Sequence, residues 1–236
     1  MVAAYSGRLP EARKMSLQAL ALAKDDKDRA ALYRAGAAIR EALFGNQREA
    51  KKEAGKALDL SKARDVKYGA AFALALFGES DARNLTDELE KDFPDDTSVR
   101  MSYVPVLRAL EALHRLDTPT ALKLLLAMPY ELGVPASWYN GSFGALYPVY
   151  VRGEAYLAAG NGPEAAAQFQ NIIDHRGIVM NDPVGAAAWV KLGEALEMSG
   201  EKGKAKAAYQ VFLTLWQAAD AETPILKHAK SGKDRL

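Results

Sequence analysis

One spacing pattern constrains this 236-residue chain more than any other, and it occurs twice. Gly153, Gly160, Ala165 and Phe169 step by 7, 5 and 4 residues, and Gly193, Gly200, Ala205 and Tyr209 repeat the same steps. Two antiparallel helices that approach closely need small residues where their backbones meet and large ones beside them. The pattern supplies both. Gly153 and Gly193 take the small position on a first helix, with Ala165 and Ala205 expected opposite them on a second. Gly160 and Gly200 fall at the end of the first helix, where a residue free to adopt positive φ is the usual cap. Tyr156 and Leu196 lie one turn past the small glycines on the same apolar face, and Phe169 and Tyr209 are the large plugs of the second helix.

In the second copy the pattern extends back to Trp189, Leu192 and Gly193, a W-x-x-L-G run that resembles the opening of a tetratricopeptide repeat. The resemblance implies an all-α fold, a right-handed superhelix of antiparallel helix hairpins forming one solenoid. A ruler of about 34 residues then gives a partial hairpin over 1–24 and full hairpins near 31–60, 66–93, 98–128, 146–176 and 186–217, with a capping helix and tail over 223–236. Gly7 and Ala12 mark the turn of the partial hairpin. A truncated hairpin is expected to leave apolar surface uncovered, which implies sequence ahead of it. Ala38, Gly45, Ala50 and Ala57 hold the small positions of the next pair, and Ala71 and Gly78 those of the third, which Pro94 closes. In the fourth, Ala109 and Ala121 fit, Leu116 replaces the turn glycine, and Asp117-Thr118-Pro119 supplies cap and first turn. Pro129 to Ser142 reads as an ordered connection, with Trp138, Tyr139 and Phe143 packing over the fourth hairpin. The 40 residues from Gly153 to Gly193 exceed the ruler by about six, and the excess falls in His175 to Pro183. Thr223-Pro224-Ile225 opens a C-terminal helix, and Lys230 to Leu236 reads as a polar tail.

Composition narrows the function. At 49% hydrophobic and 26% charged the chain can bury a large core, and a solenoid of this length need not divide into globules. Lys plus Arg number 31 against 30 Asp plus Glu, a formal charge of +1, so no nucleic-acid partner is expected. The absence of cysteine excludes disulfides and thiolate zinc sites. No apolar run is long enough to span a membrane, and Met1 to Pro10 lacks the regions of a signal peptide.

A longer stretch is more specific. Leu146-Tyr147-Pro148-Val149-Tyr150-Val151-Arg152-Gly153-Glu154-Ala155-Tyr156-Leu157-Ala158, Ala167-Gln168-Phe169-Gln170, Asp174-His175-Arg176-Gly177-Ile178, Asn181-Asp182-Pro183 and Ala208-Tyr209-Gln210-Val211-Phe212-Leu213 together resemble the tetratricopeptide region at the C-terminal end of bacterial eukaryotic-like serine/threonine protein kinases of the Acidobacteria type. The likeness covers about Ala127 to Ala229. It implies a sensory or partner-binding region downstream of a kinase domain. Related segments follow winged-helix domains in bacterial regulators, and a fragment of an enzyme whose catalytic domain lies elsewhere is the remaining alternative. Kinase activity does not carry over, because the glycine-rich loop, strand lysine, catalytic-loop Asp and metal-binding Asp-Phe-Gly are absent; His175-Arg176-Gly177 has Gly where that Asp belongs. As written, the chain carries no export signal and is expected in the cytoplasm; as part of a membrane-spanning kinase it would lie outside it.

No catalytic, cofactor-binding or metal-binding residues are expected. His114, His175 and His228 have no second histidine at helical spacing, and Asp174, His175 and Asp182 are explained by capping and turns. The expected ligand is a protein or peptide in a concave groove lined by the first helices. Counting from the small positions puts Tyr68, Phe72, Tyr103, Tyr147, Tyr150 and Glu154 near that face, followed by Val190 and Glu194. Aromatics are frequent binding hot spots, yet the same helical spacing fits core packing. A carboxylate clamp for chaperone tails needs a Lys and an Asn one turn apart; the corresponding pairs, such as Tyr150 with Glu154 and Val190 with Glu194, supply neither.

Overall fold

A computed structural model describes residues 2–128 and 146–236, and these are entirely helical apart from turns. The proposed connection from Pro129 to Ser142, with Trp138, Tyr139 and Phe143, lies outside the described residues. The helices are α1 (Val2–Tyr5), α2 (Leu9–Leu22), α3 (Lys27–Leu43), α4 (Gln47–Leu60), α5 (Arg64–Ala75), α6 (Ser80–Asp92), α7 (Val104–His114), α8 (Thr118–Leu126), α9 (Tyr147–Ala158), α10 (Gly162–Asp174), α11 (Arg176–Val179), α12 (Pro183–Met198), α13 (Lys202–Leu215) and α14 (Pro224–Asp234). A π-helical turn, Val99–Tyr103, runs straight into α7. None of the described helices is long and apolar enough to cross a membrane.

The turns inside the pairs share one chemistry. At Gly160 the amide bonds to the Leu157 carbonyl at 3.0 Å and the Asn161 amide to Tyr156 at 2.9 Å, the paired bonds of a Schellman end that needs a left-handed residue between them. Gly160 sits at φ 72°, and Gly7, Gly45, Gly78 and Gly200 occupy the same position in their own turns. Leu116 does so with a side chain, at φ 60°, closed by Leu116 N–H to Leu113 and Asp117 N–H to Ala112. Asp117 then caps α8 by accepting from the Thr120 amide at 3.2 Å. The extra residues between the last two repeats form α11 and the Asp182 cap of α12.

Close approach is concentrated at the repeat glycines. A Cβ on Gly153 would sit 2.5 Å from Phe169 Cζ, and one on Gly193 would sit 2.6 Å from Tyr209 Cε1. The plug of each second helix therefore rests directly on the first-helix glycine, while Ala165 and Ala205 are fully buried beside it. Tyr209 is held from a second side as well, because a Cβ on Gly232 of α14 would sit 2.5 Å from its Cζ. The stretch read as a polar tail is thus mostly helix: α14 continues to Asp234, and Arg235 donates to Glu197 at 3.0 and 3.2 Å.

Two layers result. The first helices α3, α5, α7, α9 and α12 pack side by side in order, and α12 also meets α3, so the inner layer closes into a ring. Their partners α4, α6, α8 and α10 lie on the outside, each against its own first helix and the next, and α13 packs between α12 and α14. The ends of the chain seal this ring. The Trp216 indole N–H donates to the Tyr5 carbonyl at 3.0 Å, the Ile225 amide to the Phe44 carbonyl at 3.2 Å, and Gly7 lies beneath the Trp216 ring. Ala3 and Ala4 are buried, with α1 against α12, while Val2, Met15, Leu17 and Leu22 of this first pair stay exposed, the uncovered apolar surface expected of a truncated hairpin.

Candidate functional site

Ring closure divides the residues expected to line a groove into two groups. Tyr68, Phe72, Tyr103 and Tyr147 are buried inside the ring and meet one another rather than an open surface. Tyr68 stacks on Tyr103 with centroids 3.7 Å apart, and Phe72 stacks on Tyr147 at 4.7 Å. Two of their three hydroxyls bond locally: Tyr103 donates to Asp65 at 2.8 Å, and Tyr147 donates to the Asp182 carboxylate at 3.2 Å. Burial raises the Tyr68 and Tyr103 hydroxyls further above the tyrosine range, with nearby carboxylates adding to it. These four side chains form an aromatic core, so the inner face that reads as a groove in the sequence is filled here. With α12 against α3, none of the four is open to solvent.

Tyr150, Glu154, Val190 and Glu194 come together elsewhere. They line a cavity of about 390 Å³ where α3, α5, α9, α12 and α14 meet. Its walls are apolar, from Ala42, Leu43, Leu76, Val190, Pro224 and Ile225, and its charged side carries Glu154, Lys191, Glu194 and His228. Glu154 and Glu194 each follow a repeat glycine, in Gly153-Glu154-Ala155 and Gly193-Glu194-Ala195. Equivalent positions of adjacent repeats thus bring two carboxylates to one place. The lysine lies between them: Lys191 Nζ is 3.2 Å from Glu154 Oε1 and 3.2 Å from Glu194 Oε2. His228 Nε2 is 2.8 Å from Glu194 Oε1, tying α14 to α12.

The two carboxylates differ in what holds them. Burial works against charge on Glu194, but the hydrogen bond with His228 and the Lys191 charge outweigh it and hold its carboxyl below the usual range. Glu154 lacks that second partner. Burial dominates there, with Glu194 adding repulsion, and raises its carboxyl despite Lys191. Lys191 stands 3.2 Å from Glu154 Oε1 but is poorly aligned for a hydrogen bond, so this buried oxygen has a counter-charge and no well-aligned donor. Burial disfavours the charge on Lys191, yet the carboxylates on either side outweigh it and raise its ammonium above the ordinary lysine value.

Neither Lys191 nor His228 is among the residues the sequence places near the inner face. Two signals were present. Lys191 precedes Glu194 by three residues on one helix face, and His228 follows Glu194 by 34 residues, one repeat length. Among the remaining expected positions, Trp189 and Leu192 border a shallow apolar groove of about 420 Å³ between α10 and α13, and Tyr156 is half-buried on α9. Asp174 and His175 stay at the surface, apart from Asp182, which is buried as the α12 cap. Compared with models of protein families, with curated proteins and with solved structures, the chain shows no significant match to any of them.

Proposed function

We propose that this chain is a non-catalytic binding module that takes a segment of protein or peptide at the cavity between α9, α12 and α14. One observation carries the reading: apolar walls from α3, the end of α5, α12 and α14 converge on a small set of fixed charges in an open cavity of about 390 Å³. That combination, a mainly apolar concavity with a few placed polar groups, is the general form of a ligand site. The ligand would enter at the rim where α14 meets the inner helices. The tetratricopeptide resemblance of Ala127 to Ala229 agrees with a scaffold of this kind, within a bacterial serine/threonine kinase or a comparable regulator.

A displayed random-peptide library selected on the folded chain tests the proposal. Enriched peptides should lose binding to a Leu76→Arg variant, whose new charge enters the apolar wall, while its melting curve stays cooperative. Ile225→Arg, on the opposite wall, provides an independent second variant. A selection that enriches nothing, or peptides that bind both variants as well as the parent, would overturn it.

A further inference from the structure

The geometry points to an alkyl cation as the group this cavity receives: the side chain of a lysine or arginine, or a free alkylamine. This rests on the binding reading above and names its chemistry. Charge sets the sign. Two carboxylates, Glu154 and Glu194, face the single ammonium of Lys191, and the further basic group, His228, reaches Glu194 alone, so the Glu154 end of the cluster is left with less positive charge than acid when both carboxylates are ionised. An anion entering the cavity would meet a lysine already engaged on both sides, and two carboxylates behind it. A cation would supply the second partner that Glu154 lacks, since Glu194 has His228 as well as Lys191 and Glu154 has only Lys191.

Hydrogen bonding points the same way. Glu154 Oε1 is a buried acceptor whose nearest donor, Lys191 Nζ at 3.2 Å, is poorly aligned and shared with Glu194, and a buried acceptor left poorly satisfied is costly. Glu154 lines the cavity and its side chain is about one quarter exposed (26%), so an ammonium or guanidinium entering there meets this carboxylate. The rest of the cavity suits what carries such a group. Leu43, Leu76, Val190 and Ile225 supply apolar surface against which the methylenes of a lysine or arginine pack while the charged end seeks polar partners.

The test uses the full chain and four probes of one length: pentylamine, pentylguanidine, pentanol and pentanoate. Binding is followed by NMR at the methyl groups of Leu43, Leu76, Val190 and Ile225. The two cations should shift these methyls saturably, with half-saturation no weaker than about 50 mM, the weak limit for the smaller of them, pentylamine, at about six heavy atoms. Both should bind at least about tenfold tighter than pentanol, and Glu154→Gln should erase that advantage by about tenfold, the size of a charge-assisted hydrogen bond. Glu194→Gln serves as the second variant, with the same direction expected if Glu154→Gln melts early.

Equal binding of pentanol, tighter binding of pentanoate, an unchanged amine affinity in both variants, or no saturable shift would each overturn the inference. The wider reading fails separately. Peptides enriched at the cavity without basic residues would leave the binding module standing and remove the cation, whereas amine binding with no enriched peptide would do the reverse.

Discussion

Phe44 and Trp216 stand edge to face, with ring centroids 4.7 Å apart and planes at 88°, joining the end of α3 to the end of α13. Phe212 adds a third ring at 4.7 Å from Trp216. Both members of the first pair are fully buried, and they hold the seam where early and late helices meet.

Replacing Trp216 should therefore act on both ends of the chain together. Trp216→Ala is expected to cost about 3–5 kcal/mol, and Trp216→Phe less, since it keeps the stack and loses chiefly the hydrogen bond to Tyr5. Hydrogen exchange gives the decisive reading: α1 and α14 amides should lose protection in step in Trp216→Ala. Loss confined to the C-terminal helices would refute the seam.

At Gly193, two effects oppose each other. Gly→Ala in a helix interior normally stabilises by about 1 kcal/mol, but here a Cβ would sit 2.6 Å from the Tyr209 ring, which Gly232 holds from the other side. Because the ring cannot retreat, overpacking should win, and Gly193→Ala should destabilise by about 1–3 kcal/mol. Gly203, which meets nothing within 4 Å, is the contrasting site, and Gly203→Ala should be neutral or mildly stabilising in denaturant titrations.

Leu116 holds a left-handed turn with an exposed side chain, 89% accessible. The conformation costs a non-glycine residue about 1–2 kcal/mol, and glycine's larger unfolded entropy returns about 0.5–1 kcal/mol of that. Leu116→Gly should stabilise by roughly 0.5–1 kcal/mol, read as a rise in Tm. A fall in Tm would show that the exposed leucine contributes packing.

Two buried carboxyls should pull the pH dependence in opposite directions. Burial raises Asp182 from 3.8 to about 7, against the donors Val184 N–H and Tyr147. The folded chain thus holds a proton that the unfolded chain has lost, and stability falls as pH rises through that window. Asp182→Asn, which keeps an acceptor for both donors, should flatten this decline. Burial also works to raise Glu41, but Arg13 at 2.7 Å and Arg40 at 2.9 Å outweigh it and lower its carboxyl. Its contribution is present above the ordinary carboxyl range and is lost as pH falls through the lowered folded value. Glu41→Ala should cost about 3–5 kcal/mol by leaving buried Arg40 without its partner, and acid unfolding of Glu41→Gln should be shallower than that of the parent.

Much of this architecture is written locally. Gly45, Gly160 and Gly200 mark their turns because a positive φ is a single-residue requirement, and Leu116 could be placed by the cap that follows it. The small residues under Phe169 and Tyr209 were visible as spacing for the same reason. Ring closure was not visible. It depends on the angle accumulated over successive pairs, which no single spacing encodes, and it decides whether Tyr68, Phe72, Tyr103 and Tyr147 border a groove or fill a core. At the cavity, counting from the small positions found Glu154 and Glu194, whereas Lys191 and His228 gain meaning only once α9, α12 and α14 lie side by side.

The contact between α12 and α3 also changes how such a chain could evolve. An open array of stacked units can gain or lose one with little effect on the others. In this chain an extra pair would push Trp216 off Phe44 and Pro224 off Gly45, so the number of pairs between them is a property of the whole and cannot drift.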